Sequence, residues 1–290
     1  MDILAVQILN SLYYASVLFQ IAAGLSLIYG VMRIVNLAHG NLYALGAHIT
    51  AWAVLGLASW PAAILYLLLL AGAFGAALAG GILEPIFLRP LYKRAEEYQL
   101  LMTFGLLLIL EDVIRFIWKP LPLSPGILSD LMGSSSIFGA TYPNYNLFVI
   151  GVGLVAAALL WAFVYKTKFG VMLRATSQNK RMASALGVNV NKVYIQAFTI
   201  GCFMAGLGGA VIAPISGAVL GMCVDALIIA FVVVVIGGLG SLEGALVGSI
   251  IVGFVRTLGI TYFAEIELAV LYLIAAVVLL VRPAGLFGRA

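Results

Sequence analysis

Long apolar runs fill most of the chain and alternate with short polar segments. A helix needs about 20 predominantly apolar residues to cross the hydrocarbon core of a bilayer. Nine stretches approach that length: residues 8–29, 34–57, 61–83, 100–118, 147–164, 193–212, 223–236, 242–260 and 268–281. The second stretch carries polar side chains and the seventh is short, so a broken or re-entrant path is an alternative for each. The pattern predicts an all-α, polytopic transmembrane helical bundle of about 8–10 spans, which forms one domain over residues 1–290.

The longest polar segment lies between the fifth and sixth apolar stretches, at residues 166–192. It contains six basic residues and no acidic one. The basic residues are Lys166, Lys168, Arg174, Lys180, Arg181 and Lys192. A short loop rich in Lys and Arg stays on the cytoplasmic side of a membrane. We therefore expect this segment, named the basic loop below, to lie in the cytoplasm.

The basic loop contains the signals of a short helix. Ser177 can cap the N-terminus of such a helix, and Gly187 lies where the helix would end. Between these two residues, Met182, Ala183 and Leu186 would share one side. A helix of about ten residues is too short to be stable alone in water. It is therefore expected to rest on the membrane domain or on a cytoplasmic partner.

The charges of the remaining loops predict one orientation of the chain. Basic residues follow the third stretch (Arg89, Lys93 and Arg94) and the last stretch (Arg282 and Arg289). Residues 120–146 contain no Lys or Arg, and Glu265 and Glu267 precede the last stretch. With nine crossings, all of these assignments agree when the N-terminus lies outside and the C-terminus inside the cell.

The composition also indicates an integral membrane protein. The chain is 64% hydrophobic and 9% charged with a mean hydropathy of +1.17, whereas soluble domains carry about 25% charged residues. Much of the positive charge falls in predicted cytoplasmic loops, so the pI near 9.1 does not indicate nucleic-acid binding. No Lys or Arg precedes Arg33 and no cleavage site is evident, so the N-terminus is not expected to be a removable signal.

The sequence contains no recognisable catalytic motif. The phosphate loop GxxxxGK[ST], HExxH, C-x-x-C and GxSxG are all absent. The two cysteines, Cys202 and Cys223, lie in or beside apolar stretches and are expected to be packing residues rather than a disulfide or a metal site. The chain is therefore predicted to be non-catalytic and to hold no metal. If the protein uses ATP, another chain hydrolyses it.

The second apolar stretch is the most polar of the nine. It contains Asn36, His39 and Asn41, and polar side chains at membrane depth usually face the bundle interior or a water-filled cavity. On a continuous helix, Asn36, Gly40 and Tyr43 would share one face with His39 beside them. One interpretation is that this face lines a translocation path. The alternative is that Asn36 and His39 bond to neighbouring helices or satisfy a backbone break near Gly40.

Glycines are concentrated around the seventh and eighth stretches. Gly237, Gly240, Gly244 and Gly248 have the spacing that lets helices pack closely. The alternative is that 237–240 breaks the backbone and lines a cavity. The residues predicted to line the translocation pathway are Asn36, His39, Gly40, Asn41, Tyr43, Asp225, Gly237 and Gly238.

Few carboxylates fall inside the apolar stretches. Glu111, Asp112 and Arg115 have helical spacing and are expected to form a local ion pair rather than a proton relay. No chain of carboxylates crosses the predicted bilayer, which is unfavourable for a proton-driven pump.

Several segments resemble a known family of permeases. NLAHGNLYALGA resembles the second-span signature of permease subunits of the branched-chain amino-acid ABC importers, and RATSQNKRMASALGVNVNKV resembles their cytoplasmic coupling segment. VVVIGGLGSLEGALVGSIIVG resembles a later helix, and VRPAGLFG resembles the terminal R-P-x-G-L-F-G of the family. These motifs occur in the expected order and extend over nearly the whole chain.

The resemblance implies an assembly in the cytoplasmic or inner membrane of a bacterium or archaeon. Two permease subunits, usually paralogues, would form the pathway within the lipid bilayer. Two cytoplasmic ATPase subunits would bind ATP and Mg, so this chain itself would need no cofactor. A periplasmic or lipid-anchored binding protein would deliver the solute.

Within this assembly, the segment from Arg174 to Gly187 would be the coupling helix that docks on an ATPase. The residues implied in coupling are Arg174, Ala175, Lys180, Arg181, Ala183, Leu186, Gly187 and Asn189. The chain differs from the family pattern at Asn41, where the family generally has Glu. The coupling segment also lacks the acid that commonly precedes its central alanines.

Members of this family carry leucine, isoleucine and valine, but also urea, short amides and aromatic acids. A path lined by Gly, Ala, Asn and His suits a small zwitterionic or neutral solute, and the resemblance favours branched-chain amino acids. Two alternatives belong to another class, an ion-coupled secondary transporter and a passive solute channel. The basic loop favours the ATP-driven importer over both of them.

Overall fold

The computed structural model describes residues 2–137, 139–262 and 264–288 of the protein. Within these residues it contains twelve α-helices and one short hairpin. The helices are α1 (Asp2–Met32), α2 (His39–Gly56), α3 (Ala62–Leu83), α4 (Glu96–Trp118), α5 (Ile127–Met132), α6 (Asn144–Lys166), α7 (Lys168–Gln178), α8 (Lys180–Ala185), α9 (Val190–Ser216), α10 (Met222–Gly237), α11 (Leu242–Tyr262) and α12 (Glu267–Val281). The hairpin pairs β1 (Ser134–Ile137) with β2 (Ala140–Pro143).

The predicted all-α bundle is confirmed. Each of the nine apolar stretches coincides with one long helix, namely α1, α2, α3, α4, α6, α9, α10, α11 and α12. By length and composition, five segments of the described chain are able to cross a membrane: Leu4–Met32, Ala62–Leu91, Asn144–Lys166, Val190–Ser216 and Leu242–Tyr262. Helices α10 and α12 are apolar but shorter. The hairpin was not predicted and lies in the connection between α5 and α6.

Helices α1 and α9 form the centre of the bundle. Within the most apolar 18 residues of each helix, 83% are buried in α1 and 78% in α9, against 33% in α3 and 28% in α6. Helix α9 packs on α1, α2 and α3. The approach to α2 is so close that a Cβ atom at Gly46 would overlap the backbone of Gly206. Glycine spacing in α9 therefore serves helix packing, as small residues do in membrane bundles.

The second stretch differs from its prediction at its beginning. Helix α2 starts at His39, and residues 33–38 are not helical. Arg33 adopts a left-handed conformation with φ of 57°, which a helix cannot continue through. The predicted helical face shared by Asn36, Gly40 and Tyr43 is therefore wrong for Asn36. The backbone break that the sequence offered near Gly40 is present, in residues 33–38 directly before His39.

The polar connection before α6 is anchored to the bundle by aromatic side chains. Tyr142 and Tyr145 are buried, and the Tyr145 hydroxyl donates a hydrogen bond of 3.0 Å to the Val211 carbonyl of α9. Leu123 also pairs through its backbone with Ala218, directly after α9. At the other end of the chain, Arg282 follows α12, whereas Arg289 lies outside the described residues.

Candidate functional site

The start of α2 brings buried polar groups together at the centre of the bundle. Asn36, His39 and Asn41 are all at most 1% exposed. The His39 Nε2 lies 3.0 Å from the Ile21 carbonyl of α1. Because a carbonyl only accepts, Nε2 carries the hydrogen and Nδ1 is the acceptor of the neutral ring. The Asn41 amide donates a hydrogen bond of 2.6 Å to the Leu107 carbonyl of α4. One interpretation of the sequence was that His39 bonds to a neighbouring helix. The bond to Ile21 of α1 confirms it.

Other polar atoms in this region lack a protein partner among the described residues. They are both amide atoms of Asn36, both amide atoms of Gln20 and the Nδ1 of His39. An unpaired polar group in an apolar interior costs about 1–3 kcal/mol. Water or a passing solute is therefore the expected partner of these atoms. We name Gln20, Asn36 and His39 the central polar group.

Gln20 was not identified from the sequence, although it interrupts a long apolar run in α1. A Cβ atom at Gly208 of α9 would lie 3.3 Å from the Cβ of Gln20 and 3.5 Å from the ring of Tyr43. Gln20 and Tyr43 therefore meet the same surface of α9. The single polar side chain in that run is the signal that could have identified it.

The remaining predicted pathway residues, Asp225, Gly237 and Gly238, lie along or directly after α10, which Gly40 of α2 contacts. Gly40 lies against the Cys223 carbonyl at the start of α10, and Asp225 is exposed on the outside of that helix. Gly237 and Gly238 lie at the far end of α10, about 20 Å further along at 1.5 Å per residue. The structure therefore brings the residues from Asn36 to Tyr43 together beside the first turns of α10, which carry Asp225, and it separates them from the two glycines.

The glycine segment after α10 breaks the backbone, as one interpretation expected. Helix α10 ends at Gly237, and Gly238 and Gly240 have φ values of 111° and 81°, which only glycine adopts readily. Gly237 also packs on Gly244 of α11, so the segment combines a break with close packing. A role in lining a pathway stays a prediction for these residues.

Exposed charged side chains lie on α4 and, separately, near the start of α10. Asp112 and Arg115 form the local ion pair that the sequence predicted, at 3.6 Å, and both are exposed. Glu111 instead lies 3.6 Å from the sulfur of Cys223, which joins α4 to the start of α10. Asp225 is exposed on the same helix. We name Asp112, Arg115 and Asp225 the charged surface.

The basic loop forms two helices rather than one. Helices α7 and α8 are separated at Asn179, whose extended backbone interrupts the helical path and whose Oδ1 accepts a hydrogen bond of 3.0 Å from the Met182 amide. Ser177 lies inside α7, where its hydroxyl donates to the Arg174 carbonyl at 2.8 Å. The predicted cap at Ser177 and the single helix of about ten residues are therefore wrong, because Asn179 supplies the cap.

The predicted end of this segment at Gly187 is confirmed. Gly187 has φ of 86°, and its amide donates to the Ser184 carbonyl at 3.0 Å. The Val188 amide donates to the Ala183 carbonyl at 3.0 Å, which completes a Schellman motif. Asn189 then caps α9 by accepting a hydrogen bond from the Lys192 amide at 3.1 Å. Only four residues, 186–189, separate α8 from α9.

The side chains of α8 divide into one buried and several exposed residues. Ala183 is 2% exposed, whereas Met182 and Leu186 are 59% and 78% exposed. Lys180 and Arg181 are exposed beside them, as is Ala175 on α7. Helix α8 therefore presents a surface of two long apolar and two basic side chains. We name Lys180, Arg181, Met182 and Leu186 the α8 surface.

Arg174 has contacts within this chain instead. Its guanidinium donates to the Val164 carbonyl of α6 and lies 5.1 Å from the centre of the Tyr165 ring. These contacts fix α7 to the end of α6. Of the residues predicted for coupling, Arg174 and Ala183 therefore hold the segment to the bundle. Gly187 and Asn189 lie at helix ends. The remaining four, Ala175, Lys180, Arg181 and Leu186, are exposed.

A buried carboxylate at the end of α3 was also missed by sequence reasoning. Glu84 begins a π-helical turn, Glu84–Leu88, and pairs with Arg89 at 2.8 Å. Tyr92 donates a second hydrogen bond to the same carboxylate, and its ring lies 5.1 Å from that of Tyr194 in α9. Burial and the bond to Glu84 raise the pKa of Tyr92, so its hydroxyl remains a donor. A five-residue spacing does not pair side chains on an α-helix, so the pattern gave no signal.

Comparison with known proteins identifies the chain's relatives. The family model described as "Branched-chain amino acid transport system / permease component" matches residues 7–281. The chain is 28% identical to the high-affinity branched-chain amino acid transport system permease protein LivH of Salmonella typhimurium, covering 98% of this chain and 95% of that protein. It is also 28% identical to the corresponding protein BraD of Pseudomonas aeruginosa, with the same coverage.

One solved structure has a similar course of the chain over most of its length. It is described as "PsaBC from Streptococcus pneumoniae in complex with Fab" and is 18% identical in sequence. The match covers 94% of this chain and 89% of that chain, with a TM-score of 0.47.

Proposed function

The chain belongs to the family of branched-chain amino acid transport system permease components, and on this premise we propose that it forms half of the pathway of an importer for leucine, isoleucine and valine. It is a multi-pass membrane protein of the ABC transporter class. The substrate proposal is supported by the names of the relatives LivH and BraD, which match over 98% of the chain. Urea, short amides and aromatic acids are the alternative cargoes.

The α8 surface is the observation that carries the proposed coupling to an ATPase. Met182 and Leu186 project from a six-residue helix that has no stability of its own. Exposed apolar side chains flanked by Lys180 and Arg181 suit a groove that is apolar inside and acidic at its rim. The ATPase partner would bind ATP and Mg, and this chain would remain non-catalytic.

The charged surface supports the presence of a second permease. A charged side chain at the centre of a bilayer costs about 2.5–3.5 kcal/mol by insertion measurements. Asp112, Arg115 and Asp225 are exposed on apolar helices within two turns of a helix end, so contact with lipid tails would carry part of this cost. This surface would meet a paralogous permease subunit or the water-filled path between the two subunits. The resulting complex would be a heterodimer.

The central polar group would provide the polar contacts of the moving solute. The atoms of Gln20, Asn36 and His39 without protein partners are buried in this conformation, and a zwitterionic or neutral molecule would reach them when the surrounding helices separate. Asn41 stands where the family generally has Glu, and its amide is occupied by the Leu107 carbonyl. It would therefore hold α2 to α4 rather than contact the solute.

The orientation follows from the distribution of basic residues. Helices α7 and α8 carry the basic loop and would lie in the cytoplasm, with the N-terminus outside and the C-terminus inside. The protein would be in the cytoplasmic membrane, and a periplasmic or lipid-anchored binding protein would deliver the solute at the opposite surface.

The test is uptake by proteoliposomes that contain the chain, its paralogue, two ATPase subunits and the binding protein. Labelled leucine should accumulate with ATP inside and should not accumulate without it. ATP-dependent uptake of labelled urea instead would support the ATP-driven importer but change its substrate. Uptake by this chain alone, driven by an ion gradient, would overturn the proposal in favour of a secondary transporter.

A further inference from the structure

A polar pocket lies between the start of α1, the start of α6 and the last turns of α11. Its volume is about 290 Å³, just below the range of typical ligand pockets. The pocket is lined by Gln7, Asn10, Tyr13, Tyr14, Asn146, Arg256, Thr257, Ile260 and Thr261. Eight of these nine residues carry a polar group, in a chain that is 64% hydrophobic. This composition sets the pocket apart from the apolar grooves on the bundle's surface.

Arg256 is the charged residue of this pocket. It lies within α11, six residues before the helix ends, and an arginine at such depth is a functional candidate by default. Its Nε is 3.8 Å from a Glu267 oxygen of α12, and its guanidinium lies 5.0 Å from the centre of the Tyr14 ring. These contacts hold one side of the guanidinium. The Nη1 atom on the other side has no hydrogen-bond partner among the described residues.

Three uncharged side chains of the pocket also have polar atoms without a partner in the described chain, and the Oδ1 of Asn146 is one of them. The other two are the Oε1 of Gln7 and the hydroxyl of Tyr13, and all three atoms are buried. A guanidinium nitrogen and a phenol are hydrogen-bond donors, whereas the unpaired amide oxygens of Gln7 and Asn146 are acceptors, and the amide group of each of these residues also carries an NH2 donor. A cation together with neutral donors in a small pocket fits an oxyanion, whose protonated or amide-bonded side can meet the amide oxygens.

The geometry points to an oxyanion-binding site at Arg256, in which the ligand is the carboxylate of a small solute or the phosphate of a lipid headgroup. The guanidinium Nη1 and the Tyr13 hydroxyl donate to the ligand oxygens. Glu267 and Tyr14 keep the guanidinium in place without filling its Nη side. The site lies at the end of the bundle opposite the basic loop, so in the proposed orientation it opens to the outside. This placement rests on the proposed function, whereas the binding chemistry does not.

The test uses ligand-observed NMR on the full chain purified in a maltoside detergent, which contains no phosphate. L-leucine and dihexanoyl phosphatidylglycerol are the two probes. Arg256→Gln removes the charge, and Arg94→Gln is the matched control because Arg94 is an exposed arginine in the connection between α3 and α4, outside the pocket. We expect Arg256→Gln to weaken binding of one probe at least tenfold and Arg94→Gln to leave it unchanged.

The two probes separate the sources of the oxyanion. Arg256-dependent binding of leucine identifies a solute site, and Arg256-dependent binding of phosphatidylglycerol alone identifies a lipid site. If Arg256→Gln does not fold, Tyr13→Phe decides, because it removes only a hydroxyl without a protein partner. Tyr13→Phe should weaken binding about 2- to 10-fold, the effect of one hydrogen bond.

Binding of both probes that is unaffected by these changes, or no binding of either probe, would overturn the site. The proteoliposome uptake experiment is independent of this result. If leucine uptake depends on ATP but neither probe binds in an Arg256-dependent way, the oxyanion site is rejected and the permease proposal remains.

Discussion

Arg89 reaches back five residues to the carboxylate of Glu84, at a distance of 2.8 Å. The π-helical turn between them makes this contact possible, because it adds one residue to the ordinary helical spacing. Tyr92 completes the arrangement and contacts Tyr194 near the start of α9. These contacts fix the end of α3 beside the start of α9, which directly follows α8.

Glu84→Ala should lower the stability of the protein by about 2–4 kcal/mol, somewhat less than for a fully buried pair because the Arg89 side chain is 38% exposed. The change leaves Arg89 and Tyr92 without their acceptor. Thermal unfolding of the purified chain in detergent measures the effect. Glu97→Ala is the control, since Glu97 is exposed in the first turn of α4. Equal melting temperatures for the two variants would contradict a stabilising role of Glu84.

Gly46→Ala should destabilise the bundle by about 1–3 kcal/mol, the usual cost of overpacking. The added methyl group would overlap the backbone of Gly206, and neither α2 nor α9 can move without disturbing the core. Gly105→Ala is the matched substitution, because Gly105 has no atom near the position of its Cβ. That variant should be neutral or more stable by up to about 1 kcal/mol. A loss of stability in both variants would indicate that helix packing is not the cause.

Leu186→Asp should weaken binding of the ATPase partner at least tenfold, which corresponds to about 1.4 kcal/mol. The leucine side chain is exposed on the α8 surface, so the folded chain should tolerate the change. Co-purification with the ATPase and ATP-dependent uptake are the measurements. Leu121→Asp is the control, because Leu121 is equally exposed in the connection after α4, at the other end of the bundle. Unchanged uptake by Leu186→Asp would exclude this surface as the docking site.

Asn36→Leu should reduce uptake while leaving stability nearly unchanged. Both amide atoms of Asn36 lack a protein partner, so their removal breaks no hydrogen bond within the chain. Asn41→Leu should behave in the opposite way, because it removes the bond to the Leu107 carbonyl. It is expected to cost about 1–3 kcal/mol of stability. Uptake per folded molecule and melting temperature, measured on both variants, separate the two roles.

The sequence was sufficient to predict the nine long helices, because an apolar run of membrane-spanning length leaves few other structures possible. It was also sufficient for the end of α8, since a glycine at that position favours a left-handed conformation. Hydrophobic periodicity could not predict the non-helical residues before α2. Arg33 occupies a conformation that its residue type rarely adopts, and the fold around it imposes that conformation.

The pattern of apolar and polar residues could not predict contacts between segments that are distant in the sequence. Arg256 and Glu267 belong to different helices, and nothing in their spacing indicates that they meet. The central polar group likewise joins α1 to α2, so the sequence could mark Gln20 as polar within an apolar run but could not place it beside His39. The cap at Asn179 was missed for a local reason, because Ser177 is an equally plausible cap from sequence alone.

Helix α9 directly follows the basic loop and lies with α1 at the centre of the bundle. It runs for 27 residues, or about 40 Å, as one helical segment, and α8 is attached to it by only four residues. A displacement of α8 would therefore be transmitted as an axial shift of a stiff rod rather than absorbed by a flexible joint. Gly208 on this rod faces Gln20 and Tyr43, so movement of an ATPase would change the shape of the solute's surroundings by sliding one wall.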